Sequence, residues 1–462
     1  MYAWEPLPFL GPALALLGLA AVGAAALAYR IVQGPFEPVL WQSPPPLAEL
    51  AGPVLAPNWD LAGAEHLFLN RLVGPESIAI GGGGELYLSL NDGRVVRTDA
   101  DFSSMTTVFF TGGVVKAEAE GAQAQHGDEA ASTDGPQGRH WVTLPALPNG
   151  AGETELSGWC TAEMQAYRFS TPTETKCGRP LGMRFVPLEA GGGHGHRHGH
   201  GHGHGLLYIA DAYHGLFTLH TGDLTVKHLV RPEAPAAIEG KEGMHPGISQ
   251  PLRFSNDLDT MADGLGDVFF TDSTWAWSRA EHAVEIMDGA PRGRLLRYDG
   301  ATGRVEPVLC GLHFANGVQL LDGGRALLVV ESTRFRILRV DLDAWRRAGP
   351  DARLAALRAC DEDAPRPPFV STFVEGLPGL PDNLRLHEGA AKGPLQEGGV
   401  LLLGMGAKNA QPFALLQFLY QHRLLRLVLG ALVPLKHFHT LVPKYGLAGV
   451  LSQVRACVCM RA

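Results

Sequence analysis

The stretch "NGVQLLDGGRALLVVESTRFRILRVD" (residues 316–341) decides the fold of this chain. It contains a short apolar strand, a Gly turn, a strongly apolar strand, a second turn and a third strand that ends at an acidic residue. Apolar side chains at alternate positions are typical of β-strands, and Gly-rich breaks are typical of tight turns. The stretch therefore predicts an antiparallel unit of three or four strands.

Similar units recur along the chain, and they share this order of strands and turns. They are "ESIAIGGGGELYLSLNDGRVVRTD" (76–99), "LGMRFV" (181–186) with "GLLYIADAYHGLFTLH" (205–220), "NDLDTMADGLGDVFFTDS" (256–273) with "GRLLRYD" (293–299), and "DNLRLHEGAAKGPLQEGGVLLLGMG" (382–406). One such unit cannot bury both of its faces, so neighbouring units must stack around an axis. The repeats predict an all-β propeller.

In a propeller the first strand of each blade begins beside the central axis, so the opening residues of different blades converge there. Aligning the repeats places these residues at the axis: Glu76, Leu181, Asn256, Asn316, and the pair Asp382 and Asn383. Apart from Leu181, they are carboxylate and amide oxygen donors without His or Cys, a set that suits Ca²⁺ better than Zn²⁺. The alternative is that each Asn before Gly or Asp only forms a turn.

The composition is that of an ordinary globular protein. Of the 462 residues, 45% are hydrophobic and 18% are charged, and the formal net charge is −9. No block of Lys and Arg offers the basic surface that neutralises phosphates, so we do not expect a nucleic-acid partner. The expected ligand is a small molecule.

The N-terminal residues 6–29 carry no charge and are long enough to cross a bilayer as a helix. Tyr2, Trp4 and Tyr29 would lie at its two interfaces. The alternative is a cleaved signal peptide that ends at "ALA" (26–28). We favour an uncleaved transmembrane or signal anchor in residues 1–30, followed by a linker and the first strands in residues 31–70.

Two insertions and the C-terminal segment depart from the repeat. Residues 112–158 lack apolar periodicity and predict a disordered loop. The Gly-His tract at 191–205 predicts a flexible loop, with metal capture as the alternative. Residues 411–462 are basic and apolar, and 413–433 predict an amphipathic helix, either on a membrane surface or packed on the propeller. We expect a sixth blade to be incomplete.

The six cysteines lack the paired spacing of a metal site. Cys160 and Cys177 flank a polar loop and could close it as a disulfide if the domain is lumenal. The alternative is two unpaired thiols.

Several motifs together resemble the strictosidine synthase-like family, and within it the membrane-anchored adipocyte plasma membrane-associated protein group. The motifs are "CGRPLGMRF" (177–185), "LYIADAYHGLF" (207–217), "FSNDLD" (254–259), "GRLLRYD" (293–299), "LHFANGVQLL" (312–321), "RILRVDL" (336–342) and "GLPGLPDNLR" (376–385). The resemblance implies a six-bladed propeller over residues 71–410, related to paraoxonases and gluconolactonases, with Ca²⁺ in the central channel. It also implies a single-pass membrane protein whose propeller is lumenal or extracellular, in the endomembrane system or at the plasma membrane.

By this resemblance the calcium ligands are Glu76, Asn256, Asn316, Asp382 and Asn383. Two positions differ from better-known relatives. Leu181 stands where paraoxonases place a His as general base, and "GGVLLLGMG" (398–406) lacks the carboxylate that strictosidine synthase uses.

The expected function is calcium-dependent hydrolysis of aryl esters or lactones, that is, arylesterase or lactonase chemistry. Asp382 would act as the nucleophile or as the base that activates water. One alternative is a non-catalytic binding or scaffold propeller stabilised by calcium. The other is an amine–aldehyde condensation of the strictosidine synthase type.

Overall fold

A computed structural model describes residues 10–33, 38–41, 67–68, 72, 74–113, 174–188, 204–233, 246–261, 266–358, 360, 365–387, 400–408, 418–432 and 456–461. In these residues the strands form five antiparallel sheets, and each sheet follows chain order from one strand to its neighbour. The all-β prediction is confirmed. The predicted loop at 112–158 and the Gly-His tract lie almost entirely outside the described residues.

Sheets one and two contain four strands each. Sheet one comprises β1 (Ile78–Ile80), β2 (Leu86–Ser89), β3 (Arg94–Thr98) and β4 (Met105–Phe110). Sheet two comprises β5 (Pro180–Pro187), β6 (Gly205–Asp211), β7 (Gly215–His220) and β8 (Val226–Val230).

The next two sheets repeat this plan, and the fifth draws its third strand from the end of the chain. Sheet three comprises β9 (Ser255–Thr260), β10 (Val268–Asp272), β11 (Gly293–Tyr298) and β12 (Val305–Leu312). Sheet four comprises β13 (Ala315–Leu321), β14 (Ala326–Glu331), β15 (Arg336–Asp341) and β16 (Val370–Val374). Sheet five comprises β17 (Gly379–His387), β18 (Val400–Lys408) and β19 (Ala456–Arg461).

Helices lie in the connections and near the chain ends. They are α1 (Leu10–Gln33), α2 (Glu174–Cys177), α3 (His282–Asp288), α4 (Leu342–Arg347), α5 (Gly349–Arg358) and α6 (Arg423–Leu432). Asp341 caps α4 by accepting a hydrogen bond from the Ala344 amide, and Gly289 ends α3 with a left-handed φ of 65°.

Neighbouring sheets pack face to face in sequence order. Phe217 of sheet two packs with Phe109 of sheet one, and Phe269 of sheet three packs with Val329 of sheet four. Leu403 of sheet five joins the core formed with sheet four. Because the first strand of each sheet also lies beside the first strand of the next, the sheets have the arrangement of propeller blades.

Sheets one and five each have one face that no other described sheet covers, and these two faces are partly exposed. Ile78 and Ile80 of sheet one are 57% and 66% exposed, and Leu402 of sheet five is 38% exposed. By contrast Ala79, which points to the other face of β1, is buried against sheet two.

The α6 region packs on the loop that carries α3. Tyr420 donates a hydrogen bond to the Ile286 carbonyl at 2.6 Å, and buried Arg426 donates to the Met287 carbonyl at 2.8 Å. Arg30 of α1 donates to the Ala431 carbonyl at 3.1 Å. Among the helices that the structure describes, none has both the length and the hydropathy needed to cross a membrane.

Cys310 and Cys360 form a disulfide with a Cα–Cα distance of 5.3 Å, which ties the end of β12 to the residues after α5. The sequence did not single out this pair. Cys177 also takes part in a disulfide, and its predicted partner, Cys160, lies outside the described residues.

Candidate metal and active site

The candidate site starts from a β-bulge that recurs at one level of four sheets. In the first strand of each of these sheets, two residues lie opposite a single residue of the neighbouring strand. The bulged pairs are Leu181–Gly182, Asn256–Asp257, Asn316–Gly317 and Asp382–Asn383. A bulge re-aims its side chains and is frequent beside functional sites. Leu181, Asn256, Asn316, Asp382 and Asn383 therefore lie in strands at equivalent positions, whereas Glu76 lies two residues before β1. This placement excludes the turn alternative for both Asn256 and Asn316.

Two glycines allow the bulges of neighbouring sheets to approach. A Cβ atom on Gly317 would lie 2.6 Å from the Asp382 carbonyl oxygen, and one on Gly182 would lie 2.6 Å from the Asp257 Cα atom. Only glycine fits at such distances. The glycine after Asn316 thus serves close packing of first strands, not a turn.

Serine hydroxyl groups tie the bulged strands of sheets two, four and five to the preceding sheet. Ser273 donates to the Ala315 carbonyl at 2.7 Å, Ser332 donates to the Pro381 carbonyl at 2.6 Å, and Ser89 donates to the Leu181 carbonyl at 2.9 Å. The same serines orient the amides, because the Asn256 Nδ2 donates to Ser273 at 2.9 Å and the Asn316 Nδ2 donates to Ser332 at 3.1 Å. We call these contacts the hydroxyl clasps.

We call Glu76, Asn256, Asn316, Asp382 and Asn383 the hub. Asn256 and Asn316 are each 5% exposed, whereas Glu76, Asp382 and Asn383 are partly buried. Burial raises the pKa of Asp382 to about 7, and the nearby Glu76 carboxylate adds to the rise. The two carboxylates thus repel each other across the hub.

The hub fits a hard cation. With Nδ2 of Asn316 held by its clasp, the Oδ1 atom has no hydrogen-bond partner among the described residues, and the same holds for Oδ1 of Asn383. A buried amide oxygen without a partner costs free energy, which a bound cation would recover. Two carboxylates and several amide oxygens form a ligand set of the kind that Ca²⁺ prefers.

Deeper along the axis, a buried ionic network joins the first strands. The Asp257 carboxylate, 0% exposed, accepts from Arg385 at 2.8 and 3.1 Å and from the Val318 amide at 3.1 Å. Arg184 lies 3.5 Å from the same carboxylate, and its Nε lies 3.2 Å from Asp259. We call Arg184, Asp257, Asp259 and Arg385 the axial network. It fills the channel below the hub with balanced charge.

A second ionic cluster borders the hub on the opposite side. The Arg179 guanidinium donates to Glu76 at 3.3 Å and to the Gly74 carbonyl at 3.0 Å. Glu174 of α2 accepts from the Tyr213 hydroxyl at 2.7 Å and from Arg279 at 3.3 Å. We call Arg179, Glu174, Tyr213 and Arg279 the arginine cluster.

An apolar wall lies beside these charged groups. Leu181 packs with Phe254, Phe314 and Ala212, and Tyr213 is in contact with them. The two Phe rings meet edge to face, with centroids 5.7 Å apart. Because Leu181 occupies the bulge of sheet two, this wall reaches the level of the hub.

Comparison with known proteins identifies the family. A model of strictosidine synthase matches residues 256–343, and a model of the strictosidine synthase-like N-terminal region matches residues 53–98. The adipocyte plasma membrane-associated protein of Homo sapiens is 31% identical over 430 residues, which cover 92% of this chain and 75% of that protein. The chain belongs to the strictosidine synthase-like family. The Arabidopsis thaliana protein strictosidine synthase-like 13 is 34% identical over 221 residues, which cover 46% of this chain and 40% of that protein.

Solved structures with a similar trace include a gluconolactonase from Xanthomonas campestris, with a TM-score of 0.36 and 12% identity, covering 73% of this chain and 71% of that one. Regucalcin from Agrobacterium tumefaciens, described as a calcium-binding protein, has a TM-score of 0.35 and 12% identity, covering 73% and 70%.

Sequence reasoning placed four of the five hub residues of this strictosidine synthase-like chain, all except Glu76, on equivalent strands but missed the charged groups around them. Arg179 lies inside "CGRPLGMRF" and Tyr213 inside "LYIADAYHGLF", both motifs of the family resemblance. The two motifs could therefore have pointed to Arg179 and Tyr213. Glu174 and Arg279 had none, because they reach the site from a short helix and a loop.

Proposed function

We propose that this chain is a calcium-dependent hydrolase of aryl esters or lactones. One observation carries the proposal: the bulges of three consecutive first strands carry oxygen donors, and two of their amide oxygens have no partner among the described residues. The apolar wall beside the hub suits the organic part of such a substrate.

The residues that would hold the ion are Glu76, Asn256, Asn316, Asp382 and Asn383. A bound Ca²⁺ would act as a Lewis acid on the substrate carbonyl. The clasps keep Asn256 and Asn316 turned so that their Nδ2 atoms face the serines. This orientation is set before any ligand arrives, which reduces the entropy lost on binding.

Asp382 is the proposed nucleophile or general base. Its raised pKa of about 7 makes its carboxylate a better proton acceptor near neutral pH than an exposed aspartate. This raised pKa favours a proton transfer from water or from the attacking group.

Chelation and the Asn316→Ala variant test this proposal. We expect bound Ca²⁺ in the purified protein and hydrolysis of phenyl acetate or a γ-lactone that chelator removes. Asn316→Ala should weaken Ca²⁺ binding by about 10- to 100-fold, since one ligand is lost. Gln421→Ala, which removes an exposed amide, is the matched control and should bind Ca²⁺ normally. Turnover that survives both chelator and Asn316→Ala would refute the proposal.

A non-catalytic binding propeller is the second candidate. It is favoured by Leu181, an apolar residue that occupies the bulge of sheet two where a general base could have stood. Under this alternative, calcium raises the unfolding temperature but no ester or lactone is hydrolysed. The same experiment therefore separates the two candidates.

We also propose that the complete propeller has six blades. Ile78 and Ile80 on the outer face of sheet one and Leu402 on the outer face of sheet five are exposed apolar side chains that a further sheet would cover. Closing the ring in this way would place the hub at its centre.

We further propose association with a membrane through α1, with the propeller in an oxidising compartment. Relatives are named plasma membrane-associated, α1 exposes Leu19 and Val22 at 69% and 68%, and disulfides persist in lumenal or extracellular proteins. The full chain should float with lipid vesicles in a density gradient, whereas a chain that starts at residue 34 should stay at the bottom. Failure of the full chain to float would contradict this location.

A further inference from the structure

Two guanidinium groups lie beside a hub that already has its own carboxylates. Arg179 is nearly inaccessible, with 4% of its side chain exposed, whereas the Arg279 side chain is 17% exposed. Glu76, which joins Arg179 to the hub, is 26% exposed. Arg279 and Glu76 are thus the members of this group that solvent reaches, and Arg179 lies behind them.

The carboxylates of the hub act on Arg279. Burial disfavours its charge, but the carboxylates of Glu174, Glu76 and Asp382 more than offset burial and raise its pKa. For Arg179 the carboxylates do not offset burial. Burial, and after it the charge of Arg279, lower the pKa of Arg179 to about 10. The two guanidiniums therefore lie close enough to repel each other, beside Glu76 and Asp382.

The charges of this region do not cancel when a divalent cation is present. Glu76 and Asp382 would balance the cation, and Glu174 balances one guanidinium. The other guanidinium remains in excess. Such an excess beside an apolar wall attracts an organic anion.

A donor also remains unused. Nε of Arg179 is buried and has no hydrogen-bond partner among the described residues. Glu174, which is itself held by the Tyr213 hydroxyl, accepts a hydrogen bond from Arg279 and so limits its rotamers before a ligand binds. A guanidinium fixed in this way matches the planar geometry of a carboxylate.

We propose that Arg279, backed by the charge of Arg179, binds a carboxylate carried by the substrate. The inference rests on the proposed function and narrows it to an ester or lactone whose acyl part also bears a carboxylate. Its apolar part lies against Leu181, Phe254 and Phe314, and its ester carbonyl lies at the hub.

The test compares two esters with the same leaving group, phenyl hydrogen succinate and phenyl butyrate. The wild-type kcat/KM should favour the succinate ester. Arg279→Met should lower the ratio between the two esters by at least about 10-fold, as expected for loss of a hydrogen bond to a charged group. Arg279→Lys should recover part of the ratio. Arg346→Met, at an exposed arginine on α4, is the matched control and should leave the ratio unchanged.

Calorimetry gives a second readout that does not depend on turnover. Succinate should bind the calcium-saturated wild-type protein and bind calcium-saturated Arg279→Met at least about 10-fold more weakly. Calcium affinity should not fall in Arg279→Met, because the variant removes a positive charge near the cation. Methylphosphonate serves as the phosphate-like probe. Tight binding of methylphosphonate with no binding of succinate would overturn the assignment to a carboxylate.

The outcomes separate this inference from the proposed function. If calcium binds and both esters are hydrolysed, but the ratio is the same in Arg279→Met, the anion subsite is wrong and the hydrolase proposal stands. If calcium binds but neither ester is hydrolysed, the hydrolase proposal fails, and loss of succinate binding in Arg279→Met still supports the subsite. If Arg279→Met weakens calcium and succinate together, Arg279 holds the hub in place and the subsite is overturned.

Discussion

Replacing Asp382 by Asn should lower kcat for ester or lactone hydrolysis by about 1000-fold, within the range expected for loss of a general base. The variant keeps the size of the side chain and its place in the bulge of β17 but removes its capacity to accept a proton. Steady-state kinetics on the calcium-saturated protein would measure this effect. A variant with the wild-type kcat would exclude Asp382 as base or nucleophile.

The stability of the same variant provides an internal control. The folded-state pKa of Asp382, about 7, lies above the ordinary aspartate value of 3.8, so ionisation of Asp382 opposes folding as the pH rises from one value to the other. Asp382→Asn should therefore be at least as stable as the wild type at pH 8 without calcium. It should also gain less stability from added calcium. Loss of activity together with loss of calcium-free stability would instead indicate misfolding.

Asp257→Ala should lower the free energy of unfolding by about 3 to 5 kcal/mol, the usual cost of leaving a buried charge without its partner. Asp257 is fully buried and neutralises Arg385 and Arg184, which belong to different sheets. Its pKa is lowered because the charges of Arg385 and Arg184 outweigh the effect of burial. Urea titration followed by tryptophan fluorescence would measure the change.

Asp343→Ala is the matched control for this experiment. Asp343 pairs with Arg346 at 3.1 Å, but both side chains are more than one-third exposed. Such surface pairs contribute about 0 to 1 kcal/mol. If Asp257→Ala cost no more than Asp343→Ala, the axial network would not stabilise the fold.

The sequence predicted the sheets and the level of the hub because both follow from local patterns. Alternating apolar residues located β13 and β14, and the repeat aligned Asn316 with Asn256 and Asp382. The structure adds the physical reason for the glycine after Asn316, which is the approach of the next first strand.

Partners that are distant in sequence could not be predicted in this way. Arg385 and Asp257 are 128 residues apart, and alternation indicates which face a side chain takes but not what lies across the channel. The Cys310–Cys360 disulfide was missed for a related reason, because six cysteines allow many pairings and spacing alone does not choose among them. Arg279 reaches the site from a loop, where no periodic pattern exists.

The hydroxyl clasps also bear on how this fold responds to change. Ser89, Ser273 and Ser332 join sheet one to two, sheet three to four and sheet four to five, so a shift in one of these sheets is passed to the first strand of its neighbour through a hydroxyl oxygen. A substitution far from the axis, if it moves one strand end, would then misplace oxygens contributed by its neighbour. Mechanical coupling of this kind makes the centre of the molecule sensitive to its perimeter.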